Sequence, residues 1–86
     1  MADRGRAPSL TVYSRTYCHL CDEMLAVLKP LQARYGFELQ VIDVDSDPQL
    51  ERRYGELVPV LAHGEHELCH YRLDAAVLTA YLAEIS

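Results

Sequence analysis

The chain predicts an α/β fold, a four-stranded mixed sheet flanked by helices in the order β-α-β-α-β-β-α. Three observations carry that prediction. Short β-prone runs alternate with stretches of helical period, and Gly and Pro punctuate the joins. The last two β-prone runs follow one another across His63-Gly64-Glu65 with no helix between them, which reads as a hairpin. Eighty-six residues, half of them hydrophobic, suffice for one core and one domain.

Residues 1–8 carry charge, Gly and Pro8 without periodicity and read as a flexible tail, leaving residues 9–86 as the domain. The first strand is expected over residues 9–14, with Leu10 and Val12 on one face and Thr11 and Tyr13 on the other. A helix then spans about residues 18–34. Cys21, Leu25, Leu28 and Leu31 recur at helical spacing, and Leu20, Met24 and Val27 widen the stripe. Pro30 lies inside this pattern and is expected to kink the helix or end it early. Gly36 closes the segment.

Residues 37–45 read as a second strand. Phe37, Leu39 and Val41 occupy one face, with Ile42 and Val44 on the other, the pattern of a central parallel strand covered on both sides. Asp47-Pro48 is an N-cap with proline at the first helical position, and Gly55 is a C-terminal stop, which frames a short helix turning Leu50 and Tyr54 inward. Val58-Pro59-Val60-Leu61 and residues 67–71 form the third and fourth strands. Asp74 caps a final helix whose Val77, Leu78, Tyr81, Leu82 and Ile85 line one side.

Composition excludes several functions. The net charge is −5 and the arginines are scattered rather than gathered into a stripe, which argues against nucleic acid. No apolar run reaches the roughly 18 residues a membrane span needs. The polar start leads into no signal-peptide core, so a cytoplasmic protein is expected; a monomer is expected as well. In such a reducing compartment a C-x-x-C pair is catalytic or metal-binding more often than a structural staple.

Cys18 and Cys21 lie where the first strand empties into the first helix. Unpaired backbone N–H groups and the positive end of the helix dipole favour negative charge there. Thiols at such positions ionise at about 3.5–7.5 rather than about 8.5. A protonated His19 adds to this effect, whereas Asp22 and Glu23 oppose it, so a lowered but not extreme value is expected for Cys18. A thiolate attacks disulfides, and a second thiol three residues on releases the partner. The residues therefore point to thiol–disulfide exchange.

Val12-Tyr13-Ser14-Arg15-Thr16-Tyr17-Cys18-His19-Leu20-Cys21 resembles the opening of the glutaredoxins, which carry a basic residue three before the first cysteine. Val58-Pro59 looks like their cis-proline dipeptide, and the element order matches theirs over about residues 9–85. The likeness is greatest to the small bacterial glutaredoxin-like proteins, whose cellular role is poorly defined. It implies a thioredoxin-like, glutaredoxin-type fold, with Cys18 the exposed nucleophile and Cys21 the buried resolving thiol. It also implies that Arg15 meets the thiolate or a glutathione carboxylate, that Tyr17 and His19 border the substrate, and that the Val58-Pro59 backbone pairs with an extended partner. The implied partner is a disulfide-bearing protein or a small thiol.

The departures bear on substrate choice. Where glutathione-using glutaredoxins carry a Gly-Gly pair and an Asp pair, this chain has Cys69-His70-Tyr71-Arg72-Leu73-Asp74. Bulky side chains narrow that pocket and only Asp74 remains as an equivalent, which puts glutathione as co-substrate in doubt; no other cofactor is implied. Cys69 is either a third redox thiol or a packed strand residue, the second being the more frequent role. Two other readings stand beside the enzyme: a thioredoxin-fold binding module that does not cycle, and a zinc protein using the cysteines with His63, His66, Cys69 and His70. Asp43, Asp45 and Asp47 invite an EF-hand reading, but Pro48 and Tyr54 stand where its Gly and Glu belong.

Overall fold

Residues 7–85 are described in a computed structural model of the chain; most of the expected tail, residues 1–6, lies outside them. Pro8 is already tied to the sheet, its carbonyl accepting the Glu38 N–H at 2.8 Å. Then follow strand β1 (Ser9–Ser14), helix α1 (His19–Tyr35), strand β2 (Glu38–Asp43) and a 3-10 turn (Val44–Ser46). Helix α2 (Pro48–Tyr54), strands β3 (Val60–His63) and β4 (His66–His70) and helix α3 (Ala75–Ile85) complete the chain. The predicted order stands.

The sheet order is β2-β1-β3-β4, with β1 parallel to β2 and the other two pairs antiparallel. Alternation along β1 divides the core in two. On one face Leu10 and Val12 meet Met24, Leu28, Phe37, Leu61, Leu78 and Leu82 beneath α1 and α3. On the other, Val44, Tyr54 and Val60 gather with Tyr13, Leu50 and Leu57 beneath α2. Tyr13 stacks on Tyr54 with ring centroids 4.3 Å apart, which seats the short α2 on the sheet. Each fully buried Leu or Val removes enough apolar surface to contribute about 1.5–3 kcal/mol.

Several details differ from the sequence reading. Strand β2 is an edge strand, not a central one: Val41 is half-exposed, and Glu38 and Gln40 face solvent, the polar dressing an open edge requires. It also stops at Asp43, because Asp43 Oδ1 accepts the Asp45 N–H at 2.8 Å and bends the chain into the 3-10 turn. Helix α1 does not end at Pro30 but continues through it to Tyr35. Ala26, whose carbonyl loses its partner there, and Pro30 are both exposed, so solvent takes the freed oxygen. It ends at Gly36, whose φ of 76° is the left-handed cap expected of it. Val27, Val77 and Ile85 lie on solvent-facing flanks; the buried stripes are narrower than periodicity implied. Strand β3 starts at Val60 rather than Val58, and the hairpin closes through the two residues Gly64 and Glu65, with His63 opposite His66.

Candidate active site

Sheet register brings the sequence-predicted site residues to one end of the sheet. Ser14 pairs with Asp43, Tyr13 with Val60, and Val60 with His70. The chain leaving β1 toward Cys18, the turn after β2, the Val58-Pro59 step entering β3 and the end of β4 therefore share that end. Tyr71 fastens two of them: its N–H donates to the Pro59 carbonyl at 2.9 Å and its hydroxyl to the Glu56 carbonyl at 3.0 Å. The Val58–Pro59 peptide is cis.

Cys18 is the N-cap of α1, in extended backbone, and its Sγ accepts the Cys21 N–H at 3.1 Å. The cap that usually falls to Ser, Thr or Asp is here a sulfur. Cys18 and Cys21 are joined as a disulfide with Cα atoms 5.2 Å apart. Cys18 is partly open to solvent, whereas Cys21 is 2% exposed on the core side of the helix. One sulfur is reachable and the other is sealed.

Fastening of the β1–α1 loop explains why Cys18 is held there. Arg15 Nη2 donates to Glu51 Oε2 at 3.0 Å. Its Nε lies 3.3 Å from Asp45 Oδ2, although the N–H is not aimed at that oxygen. The Glu51 hydrogen bond, ahead of the charge of Asp45, holds the Arg15 guanidinium further above its ordinary pKa. Thr16 donates to Asp43 Oδ2 at 3.2 Å. Gly55 makes room for the clamp: a Cβ there would collide with the Glu51 carbonyl and sit 3.0 Å from Arg15 Nη2. Its φ of −55° is helical, so space and not backbone freedom calls for glycine. The guanidinium implied for the thiolate or a glutathione carboxylate is thus occupied by two carboxylates of the chain itself.

Tyr17 and Tyr71 have φ of 61° and 65°, left-handed values that favour glycine. For a bulky residue each costs roughly 1–3 kcal/mol and persists only where its surroundings impose it. Tyr17 is fully exposed and Tyr71 nearly half so. His19 projects into solvent and pairs with Glu23 at 2.9 Å. Asp74 caps α3, accepting the Val77 N–H at 3.2 Å. Cys69 packs against the α1/α3 core; burial pushes its thiol up, with the Asp74 N–H acting the other way.

His63 turns to the Tyr81 hydroxyl and His70 to Glu67. No group of three or more His, Cys, Asp or Glu among the described residues is arranged to hold a metal ion.

Residues 9–83 match the model of the Glutaredoxin-like domain (DUF836). The chain belongs to that family. This glutaredoxin-like chain is similar to a Nitrosomonas europaea protein solved by NMR in solution, with 49% identity, a TM-score of 0.78 and coverage of 85% of this chain and 88% of that one. An X. campestris protein solved by X-ray is 41% identical with a TM-score of 0.65, over 87% and 96% of the two chains. The germline-specific thioredoxin Deadhead of Drosophila melanogaster is 26% identical, with a TM-score of 0.59 over 91% and 80%. The glutaredoxin-like domain thus has the thioredoxin fold, with its cysteine pair at disulfide distance. No helix among its described residues is long and apolar enough to cross a membrane.

Sequence reasoning missed Glu51, Gly55 and Tyr71 as parts of the site. Gly55 was legible only as a helix stop, and the Asp43/Asp45 alternation only as a failed cation loop. A glutamate one turn before a glycine carries no signal that an arginine 36 positions away will lie between them.

Proposed function

We propose that the chain is a thiol–disulfide oxidoreductase cycling between the Cys18–Cys21 disulfide and the dithiol. One observation carries the reading: a partly open sulfur caps α1 and accepts a backbone N–H, with a sealed second sulfur bonded to it. In the reduced chain the Cys18 thiolate keeps that N–H donor and the positive end of the helix dipole. It attacks one sulfur of a substrate disulfide, forming a Cys18–substrate bond and expelling the other substrate sulfur as a thiolate. Cys21, as thiolate, then attacks the Cys18 sulfur and expels the remaining substrate sulfur. Two electrons pass to the substrate, the two protons lost by the cysteines end on the two product thiols, and the Cys18–Cys21 bond remains. A thiol reductant reopens it, and the cytoplasm supplies such reductants. Val58-Pro59 offers backbone to the extended substrate beside Cys18, and no cofactor takes part.

Intact-mass measurement tests this. Mild oxidation of the reduced chain removes two hydrogens, and Cys18→Ser abolishes the loss. An unchanged wild-type mass refutes the reading. A pair that oxidises once but does not turn over with a disulfide substrate and a thiol reductant marks a binding module instead.

A further inference from the structure

We infer that the substrates are polypeptide disulfides whose reacting cysteine is flanked by an aromatic or aliphatic residue and by neutral or basic ones, rather than small anionic disulfides. This deepens the dithiol reading and rests on it.

Two tyrosines carry the first half. Tyr17 directly precedes the reactive sulfur, and Tyr71 is hydrogen-bonded to Pro59 at the same end of the sheet. Both occupy backbone conformations that favour glycine, and both show their rings to solvent. The Tyr17 ring, held at a conformational cost and fully exposed, contributes no burial and points to work outside the fold; Tyr71 also serves the fold, its hydroxyl bonded to the Glu56 carbonyl and its ring edge-on to His70, but leaves nearly half its surface open at the same end. Tyr71 also lines a groove of about 210 Å³ that runs from Leu20, two residues past Cys18, along Glu23, Met24 and Val27 and against Arg72 and Leu73. Val27 is half-exposed there. A chain tethered to the Cys18 sulfur has this groove as its neighbour, with Leu20, Val27, Tyr71 and Leu73 as its apolar wall and Glu23 and Arg72 as its charged one.

Charge carries the second half. Carboxylates crowd the same end: Asp22 and Glu23 on α1, Asp43 and Asp45 after β2, Glu51 on α2. Of the nearby arginines, Arg15 is taken up by Glu51 and Asp45, which leaves Arg72 in the groove as the positive charge set against these carboxylates. Such a surface repels a small disulfide bearing several carboxylates and favours a partner with neutral or basic flanks.

The test follows oxidation of the reduced full-length chain by four disulfides. Three are symmetric peptide dimers: acetyl-Lys-Cys-Phe-Lys-amide, acetyl-Lys-Cys-Ser-Lys-amide and acetyl-Glu-Cys-Phe-Glu-amide. The fourth is 2-hydroxyethyl disulfide. Alkylation and mass spectrometry read the Cys18–Cys21 bond, and each rate is divided by that of the same disulfide with dithiothreitol, which cancels leaving-group reactivity. The Lys/Phe peptide is expected to exceed the Lys/Ser peptide by about threefold to tenfold, the size of one or two ring contacts, and to exceed the Glu/Phe peptide because the surrounding carboxylates repel its glutamates. Tyr17→Gly and Tyr71→Gly, which suit the left-handed backbone and are checked for folding by circular dichroism, bring the Phe-to-Ser ratio toward one. Equal normalised rates, or a ratio untouched by both substitutions, overturn the inference and leave the dithiol reading intact. Failure of all four disulfides, the uncharged small one included, to oxidise the chain overturns both.

Discussion

Replacing Tyr17 by glycine should stabilise the protein. The left-handed backbone at this position, φ 61°, costs a non-glycine residue roughly 1–2 kcal/mol that glycine does not incur. Against this, glycine loses about 0.5–1 kcal/mol more backbone entropy on folding. The tyrosine ring is fully exposed, so its removal forfeits no burial. The net gain spans zero to about 1.5 kcal/mol and centres on about 0.75 kcal/mol, which for a domain of this size raises Tm by about 3–6 °C. Tyr17→Ala separates the two contributions, since alanine keeps the strain and lacks the ring, and its Tm should stay near that of the wild type. Tyr71→Gly relieves the same kind of strain but loses the hydroxyl bond to Glu56 and the partly covered ring, leaving it about 1 kcal/mol behind Tyr17→Gly. Calorimetry on the oxidised forms reads all three. A Tm drop of several degrees in Tyr17→Gly refutes the reasoning, because it means that the ring packs or that the loop is not left-handed.

Leu28→Ala, at a fully buried core position, should cost about 2–5 kcal/mol in urea denaturation. Its neighbour Val27→Ala, on the exposed flank, should stay within about 0.5 kcal/mol. Gly55→Ala should lower Tm by forcing its Cβ into Glu51 and the Arg15 clamp, and adding Glu51→Ala should recover part of the loss; simple additivity of the two substitutions would falsify the clamp. The raised Cys69 thiol keeps its proton in the folded chain after the unfolded chain has begun to ionise. Its contribution is therefore intact below the ordinary value of 9.0 and declines as pH rises through it toward the folded value. Denaturation between pH 8 and pH 10 should show a steeper alkaline loss in the wild type than in Cys69→Ala.

How much was legible follows from what each feature depends on. The order of elements rests on local signals: Gly36 ending α1, Asp47-Pro48 opening α2 and Asp74 opening α3 act where the sequence puts them, and the hairpin turn is one residue tighter than His63-Gly64-Glu65, with His63 already paired to His66. Strand position was not legible for β2, because an apolar pattern of Leu39, Val41 and Ile42 is compatible with a covered centre or a dressed edge, and long-range pairing decides between them. The cysteine pair was legible because three residues of spacing at a helix start already set its geometry. The Arg15 clamp was not, since its carboxylates come from the 3-10 turn and from α2 and meet it only once the sheet is assembled. Left-handed tyrosines were equally hidden, as propensity would put glycine at both positions.

Sealing Cys21 beneath α1 while Cys18 stays open gives the pair an outer and an inner sulfur. In the proposed dithiol cycle a substrate sulfur meets Cys18 first, and Cys21 is reached through it. Peroxide reaching the reduced pair would convert the outer thiol to a sulfenic acid, which the inner thiol then condenses to the disulfide with loss of water. The arrangement that orders the proposed exchange would therefore also shield the outer cysteine from irreversible damage.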